Sequence, residues 1–368
     1  MSIRLPDSLL RLRPYVPGKP IQEVQREFGV TEIVKLASNE NPLGPSPRVV
    51  ATIMDFARFA ALYPDAGCVE LKQALSERVG VPAAQICLGN GSDELIHFLG
   101  LLLLRAGDSA VMAKPGFSRY EAAGILAEAE TRSIAVDAEG RHNLVAIADA
   151  IDATTRVVWI ANPNNPTGTI VRKSDFDRFL TRVPDNVVIV MDEAYFEFAI
   201  DDEYPNSADY VRAGKNVIGL RTFSKTFGLA GLRVGYAIGQ PDLIEALEKV
   251  REPFNVNSIG QRAAIAALED QGHLERTIEA NGRGVHRLSE FMRSHGYRVS
   301  ESYANFVWCD LGFPTESICE QLLRMGIIIR PGSIFGCPNH VRISVGTASE
   351  IDRFEAAFMS LLQASIIV

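Results

Sequence analysis

The sequence lacks the features that mark membrane, nucleic-acid and metal-binding proteins. Its most apolar run, residues 95–104, is far shorter than the ~20 residues of a membrane-spanning helix, and we expect it to form a buried helix. Lys and Arg form no cluster and the net charge is −8, which argues against nucleic acid or an anionic membrane as the main partner. The five cysteines show no metal-ligand spacing. We therefore expect no metal site, and small molecules as partners.

The cysteines and the N-terminal residues together predict a cytoplasmic protein. Five is an odd number of cysteines, which favours reduced thiols that act as small core or loop residues. The first residues soon turn charged, without the apolar stretch and the small-residue cleavage site of a signal peptide.

Two nucleotide-binding fingerprints are also missing. In residues 89–94, Glu94 stands where the third glycine of a dinucleotide fingerprint would be, which argues against a nicotinamide oxidoreductase. Asp209 stands where a Walker loop ending at Gly214-Lys215 would need its first glycine. The glycines of residues 89–94 nevertheless precede the apolar helix, and glycines before a helix N-terminus are typical of an anion site.

The sequence does contain the alternation typical of an α/β fold. With 368 residues, 47% hydrophobic and 22% charged, it has the composition of an ordinary globular protein. Short β-branched runs alternate with helical stretches and predict a largely parallel sheet covered on both faces. The predicted strands are residues 109–113, 131–136, 156–161, 187–191, 217–220 and 234–238.

The C-terminal part of the chain changes character. Residues 259 to about 293 have helical spacing and no proline. Strand-like runs then follow, separated by helix-like segments, at residues 306–309, 327–329 and 341–345. This pattern predicts a second, smaller α+β unit.

A lysine within residues 221–233 is the first candidate for chemistry. Lys225 follows an apolar strand and is surrounded by hydroxyl and glycine residues, where a parallel sheet places its ligands. A desolvated amine near a cation has a lowered pKa and becomes a nucleophile toward an aldehyde. Taken alone, Lys225 would be interpreted as an ordinary surface lysine, and further segments of the chain are what change this interpretation.

Two further strand ends carry polar side chains. Asp192 ends the apolar run 187–191, where a carboxylate is costly unless it faces a cation such as a protonated pyridine nitrogen. The alternative is a helix N-cap. Residues 162–168 form a rigid turn after the preceding strand, and Asn165 in it is a candidate donor to a phenolate oxygen of a cofactor, or a simple turn residue.

Together, these segments closely resemble the fold type I pyridoxal 5′-phosphate (PLP) enzymes, and within them the histidinol-phosphate aminotransferase family. The likeness extends from residues 37–42 to residues 341–347. It implies a mostly parallel central sheet and a smaller α+β domain built from the N-terminal arm and the C-terminal segment. The implied units are an arm with a dimer contact (1–40), a large PLP-binding domain (41–280) and a small domain (281–368).

The resemblance also implies how PLP is held. Lys225 forms an imine with the cofactor, Asp192 faces its ring nitrogen, and Asn165 and Tyr195 donate to its phenolic oxygen. Phe117 stacks on the ring, unless it is a core residue. The residues implied for the phosphate are Gly91, Ser92, Asp93, Thr222, Ser224 and Arg233. Asp93 has the wrong charge for a phosphate contact and is expected to serve through its backbone and as a cap.

Tyr63 matches a segment that, in this family, reaches the cofactor phosphate of the neighbouring subunit. The resemblance therefore implies a homodimer with two shared sites.

Substrate selection is expected to rest on arginine. A planar guanidinium is the natural clamp for a carboxylate or a phosphate, and Arg330 and Arg342 are the candidates, or else surface arginines at strand ends. The resemblance adds Tyr15 of the N-terminal arm and Asn305 as lining residues. It implies conversion of histidinol phosphate and 2-oxoglutarate to imidazole acetol phosphate and glutamate, in histidine synthesis.

Two alternatives remain open at this point, and a third is disfavoured. Because an arginine binds a carboxylate as well as a phosphate, a phenylalanine or other aromatic amino-acid aminotransferase fits the same residues. A threonine-phosphate decarboxylase would share every cofactor contact. A PLP-sensing transcription regulator would need a basic DNA-binding domain, for which the residues before Asn39 are too few.

Overall fold

The computed structural model describes residues 7–14 and 18–364, which form thirteen β-strands and fourteen α-helices. Tyr15 lies outside the described residues. The strands are β1 (Val34–Lys35), β2 (Ile86–Asn90), β3 (Ser109–Lys114), β4 (Glu130–Ala135), β5 (Thr155–Ala161), β6 (Val188–Asp192), β7 (Val217–Thr222), β8 (Val234–Ile238), β9 (Arg298–Val299), β10 (Phe306–Asp310), β11 (Ile327–Ile328), β12 (Arg330–Pro331) and β13 (His340–Ser344).

The helices lie mostly between the strands, as an α/β fold requires. They are α1 (Asp7–Arg11), α2 (Ile21–Phe28), α3 (Pro47–Phe56), α4 (Val69–Val79), α5 (Ser92–Leu103), α6 (Ser118–Leu126), α7 (Leu144–Asp149), α8 (Lys173–Leu180), α9 (Ser207–Arg212), α10 (Pro241–Val250), α11 (Ser258–Leu268), α12 (Gln271–Ser294), α13 (Glu316–Arg324) and α14 (Ala348–Gln363).

The main sheet has seven strands in the order β2-β8-β7-β6-β5-β3-β4. All neighbours are parallel except β8, which runs antiparallel to both β2 and β7. The six predicted strands are confirmed, with ends displaced by two residues at most. Strand β2 was not predicted, because its last residues, Gly89 and Asn90, have the composition of a loop.

Helix α5 is the buried helix expected from the most apolar run. Its side chains Leu95, Ile96, Phe98 and Leu99 are buried against the sheet and neighbouring helices. In the described part of the chain, no helix combines the length and the apolar character needed to cross a membrane.

The C-terminal unit contains a four-stranded antiparallel sheet in the order β12-β13-β10-β9. The run predicted at 327–329 is divided, since β11 ends at Ile328 and β12 begins at Arg330. Strand β11 pairs with β1, so residues 34–35 join this unit. The predicted boundary at residue 280 lies inside α12.

The helical stretch predicted at 259–293 forms two helices. Helix α11 ends at Leu268, and Asp270 then caps α12 by accepting the His273 N–H at 3.0 Å. The apolar spacing continues across this break, which is why the sequence pattern did not reveal it.

All five cysteines are free thiols. Cys68, Cys87 and Cys309 are buried in the core, and burial raises the pKa of each thiol. A thiol that stays protonated is unreactive, in keeping with a packing role.

Candidate active site

The predicted site residues meet at one edge of the main sheet. Strands β5, β6 and β7 are parallel, so their carboxyl ends, Ala161, Asp192 and Thr222, lie at the same edge. Strand β2 runs antiparallel to β8, which is antiparallel to β7, so Asn90 also lies there. This is where open α/β sheets bind their ligands.

Lys225 lies three residues beyond β7. Burial, which has the larger effect, and the positive charge of Arg342 together lower the pKa of its amine to about 8. The Nζ atom donates to the carbonyl of Ser38 at 3.4 Å and lies 5.7 Å from the centre of the Tyr195 ring. At neutral pH this amine is unprotonated in a much larger fraction of molecules than an ordinary lysine, as a nucleophile requires.

Asp192 is buried at the end of β6, as predicted. Burial raises the pKa of its carboxyl to about 6, although two hydrogen bonds favour the charged form. The Tyr120 hydroxyl donates to Oδ2 at 2.6 Å, and the Ala194 N–H donates to Oδ1 at 3.1 Å. A buried carboxylate of this kind is suited to a cationic partner.

Aromatic neighbours hold Tyr120 in place beside Asp192. Its ring stacks on Trp159 with centroids 5.1 Å apart, and its edge meets Phe117 at 5.7 Å. The stacking fixes the hydroxyl on Asp192. No sequence pattern could have indicated this contact, because Tyr120 lies in a helix far from β6 along the chain.

The six residues predicted to hold a phosphate surround the N-terminus of α5. Gly91 has φ 77°, a conformation that residues with a side chain rarely adopt, and a Cβ there would lie 2.4 Å from Arg233 Nη2 and displace it. Ser224 Oγ accepts from Thr222 Oγ1 at 3.0 Å and from Arg233 Nη1 at 3.3 Å. Free helix N–H groups, hydroxyls and a guanidinium together form an anion site.

Asp93 lies in the first turn of α5, as expected for a residue acting through its backbone. The helix cap, however, is Gly91, and the Asp93 carboxylate lies 3.8 Å from Arg233 Nη2. The capping role is therefore wrong, because the cap position requires the positive φ of Gly91.

The two candidate substrate arginines are buried and lie opposite each other. Arg330 of β12 pairs with Arg342 of β13, and both side chains are almost inaccessible to solvent. Arg342 donates to Asn165 Oδ1 at 2.5 Å and to the Ala37 carbonyl at 2.8 Å. Like charges on neighbouring strands repel, so an anion between them is favoured. The interpretation as surface arginines is wrong for both.

Tyr195 is joined to the small sheet through Asn39, which sequence reasoning did not single out. Asn39 Nδ2 donates to the Tyr195 hydroxyl at 2.9 Å, and Ser344 Oγ donates to Asn39 Oδ1 at 2.7 Å. Asn305 Nδ2 donates to the Asn39 carbonyl at 2.9 Å. Asn305 is thus buried beside Tyr195 and supports the Asn39 backbone.

Tyr63 lies apart from this cluster. Its side chain is 83% exposed and its ring stacks on Phe254 at 4.7 Å. In the described part of the chain, no hydrogen bond joins it to the site residues of the same subunit.

The fold and the site define a class, the PLP-dependent transferases of fold type I. Within that class, the chain belongs to the aminotransferase class I and II family, whose model matches residues 31–358. A histidinol-phosphate aminotransferase from Moorella thermoacetica is 46% identical over 358 residues, which cover 97% of this chain and 92% of the relative.

Solved structures show the same likeness. The histidinol-phosphate aminotransferase of Sinorhizobium meliloti, in complex with pyridoxal-5′-phosphate, has a TM-score of 0.91 and 29% identity and covers 99% of both chains. The L-threonine-O-3-phosphate decarboxylase of Porphyromonas gingivalis shares the fold, with a TM-score of 0.79, 22% identity, and coverage of 90% of this chain and 100% of that one.

The hydrogen bond between Tyr120 and Asp192 should stabilise the protein to an extent that depends on pH. In Tyr120→Phe the ring remains, but the ionised carboxylate loses a buried donor, which we expect to cost about 1–3 kcal/mol of unfolding free energy. The loss should be largest at about pH 8, where Asp192 is ionised, and smaller at about pH 4.5, below its pKa of about 6. Denaturant unfolding of the cofactor-free protein measures both values.

Tyr210→Phe is the matched control. Tyr210 donates to Asp177 at 2.6 Å, and the hydrogen bonds from Lys173, which has the larger effect, and from Tyr210 hold the pKa of Asp177 below its usual value. Asp177 therefore stays ionised at both pH values, and this loss should change little between them. An equal loss at both pH values in Tyr120→Phe would contradict the role assigned to Tyr120.

Proposed function

We propose that the protein converts histidinol phosphate and 2-oxoglutarate to imidazole acetol phosphate and glutamate, a step of histidine synthesis. The observation that carries this proposal is the buried pair Arg330 and Arg342, on adjacent strands beside Asn165. Two desolvated guanidinium groups suit a doubly charged phosphate better than a single carboxylate. The Moorella relative carries the name of this activity.

The cofactor is PLP, and the residues present fit it. The space that a Cβ at Gly91 would fill, together with Ser224 and Arg233, suits the phosphate. Asp192 suits the ring nitrogen, and Asn165 and Tyr195 are the proposed donors to the phenolic oxygen. Phe117, beside Tyr120, is the proposed stacking residue. When bound, PLP accepts electrons from the substrate carbon that loses its proton.

Lys225 is the proposed attachment point and base. Its pKa of about 8 leaves Nζ able to take a proton from the substrate carbon and to return it at the neighbouring position. Arg330 and Arg342 hold the substrate's anionic group so that the reacting bond keeps one orientation. Asn305 is proposed to line the same space, and Tyr15, outside the described residues, remains a candidate.

We also propose that the protein is a homodimer whose sites are shared. In residues 54–69, which include Tyr63, the large apolar side chains Met54, Leu62 and Val69 are mostly exposed, which is typical of a surface that another chain covers. Tyr63, which has no hydrogen bond to its own subunit's site within the described residues, is then proposed to reach the phosphate-binding residues of the partner subunit.

The division of the chain and its location stay proposals as well. We propose an arm (1–40), a large domain (41–280) and a small domain (281–368), supported by the pairing of β1 with β11. Free thiols in all five cysteines support the cytoplasm as the compartment.

The covalent role of Lys225 is tested by substitution. In Lys225→Ala we expect PLP to bind without a covalent link and turnover to fall at least about a thousandfold, since both the nucleophile and the base are removed. Borohydride reduction of the loaded protein, followed by peptide mapping, should label residue 225 in the parent only. Lys114→Ala, which removes another lysine at a strand end, should keep the label.

Substrate preference distinguishes the proposed activity from the two alternative activities. We expect kcat/KM for histidinol phosphate to exceed that for phenylalanine by at least about tenfold, because one carboxylate replaces a doubly charged group at the arginine pair. A preference for phenylalanine would make the protein an aromatic aminotransferase. Release of carbon dioxide from threonine phosphate, without glutamate formation, would indicate a decarboxylase.

If the two subunits share their sites, mixing two impaired variants should restore part of the activity. Lys225→Ala and Tyr63→Ala subunits should each form impaired homodimers, but a mixed dimer contains one site with both native residues. Random exchange should therefore restore about one quarter of the parental activity. Sedimentation of the parent should show a dimer. A monomer, or a mixture no more active than its components, would exclude shared sites.

A further inference from the structure

We propose that Asn39 positions Tyr195, so that the Tyr195 hydroxyl directs its proton toward the cofactor's phenolic oxygen. This inference rests on the proposed role of Tyr195 as a donor there. It concerns a residue outside the proposed cofactor contacts, and it links that donor to a strand of the small sheet.

The contact itself is buried and direct. Asn39 is 2% exposed and Tyr195 4% exposed, and Asn39 Nδ2 lies 2.9 Å from the Tyr195 hydroxyl oxygen. An oxygen that accepts a hydrogen bond from an amide becomes a better donor through its own proton. The amide also occupies the acceptor side of the hydroxyl, so the proton has to point elsewhere.

Ser344 determines which way the Asn39 amide faces. Its Oγ accepts the Asn39 backbone N–H at 2.9 Å and donates to Asn39 Oδ1 at 2.7 Å. With the oxygen engaged by Ser344, the nitrogen is turned toward Tyr195. A flipped amide would instead accept the Tyr195 proton and remove it from the cofactor.

The backbone around Asn39 supports the same geometry. Asn39 has φ 55°, a left-handed conformation that asparagine tolerates better than most residues. Asn305 holds its carbonyl, and the carbonyl of the preceding Ser38 accepts from Lys225 Nζ at 3.4 Å. Residues 38 and 39 therefore contact both Lys225 and Tyr195.

The test is the pH titration of the visible absorbance of the holoenzyme, which reports the pKa of the link between Lys225 and the cofactor. A donor to the phenolic oxygen stabilises its negative charge and so weakens its hold on the proton of that link. Tyr195→Phe should raise this pKa, with an about tenfold higher proton affinity. Asn39→Gly, which keeps the left-handed backbone, should also raise this pKa, with a proton affinity higher by about threefold or more.

The double variant decides whether Asn39 acts through Tyr195. In the Tyr195→Phe background, Asn39→Gly should cause no further change, since the two contributions are not independent. Ser344→Ala should shift the pKa in the same direction as Asn39→Gly and serves if Asn39→Gly does not fold. The control is Asn281→Ala, which removes a buried asparagine that donates to the Ala304 carbonyl at 3.0 Å and should leave the pKa unchanged.

The donor role of Tyr195 and the positioning role of Asn39 are tested separately. An unchanged pKa in Tyr195→Phe would refute the proposed donor role of Tyr195. Two results would refute the positioning role of Asn39 if Tyr195→Phe itself shifts the pKa. One is that neither Asn39→Gly nor Ser344→Ala shifts it. The other is that Asn39→Gly shifts it equally in the parent protein and in Tyr195→Phe.

Discussion

The site depends on two buried ionisable groups whose pKa values are driven toward each other. Burial lowers the pKa of Lys225 to about 8 and raises that of Asp192 to about 6, so each charge is costly where it lies. In the proposed site, a protonated ring nitrogen of PLP would give Asp192 an opposite charge, and the aldehyde of PLP would give Lys225 a covalent partner, so both costs would be relieved. Under this proposal, the unfavourable burial of the two groups would contribute to affinity for the cofactor.

Strand pairing brings the proposed phosphate-binding residues close to these two groups. Gly235 of β8 is the pairing partner of both Gly89 in β2 and Thr222 in β7. A Cβ at Gly235 would lie 2.4 Å from the Ser92 nitrogen. The antiparallel strand β8 therefore joins the start of α5 to the end of β7, and glycine permits the close approach. Segments that are far apart in the sequence are thereby brought together at the proposed phosphate site.

The sequence predicted those parts of the fold whose cause is local. Apolar runs predicted six strands of the main sheet, and residues at their carboxyl ends predicted Lys225 and Asp192. Strand β2 was missed because its glycines resemble a turn, and the break between α11 and α12 was missed because the apolar spacing continues across it. Tyr120 and Asn39 act through contacts between distant segments, which no local pattern encodes.

Strand β13 orients both proposed donors to the phenolic oxygen. Arg342 and Ser344 are two residues apart and so lie on the same face of the strand. Arg342 donates to Asn165 Oδ1, which leaves the Asn165 nitrogen to donate elsewhere, and Ser344 does the same for Asn39, which holds Tyr195. Because Arg342 is also a proposed substrate clamp, a displacement of β13 when substrate binds would reach both donors. The proposed roles of Arg342, Asn165 and Tyr195 would thus couple substrate binding to the cofactor's phenolic oxygen through one short strand.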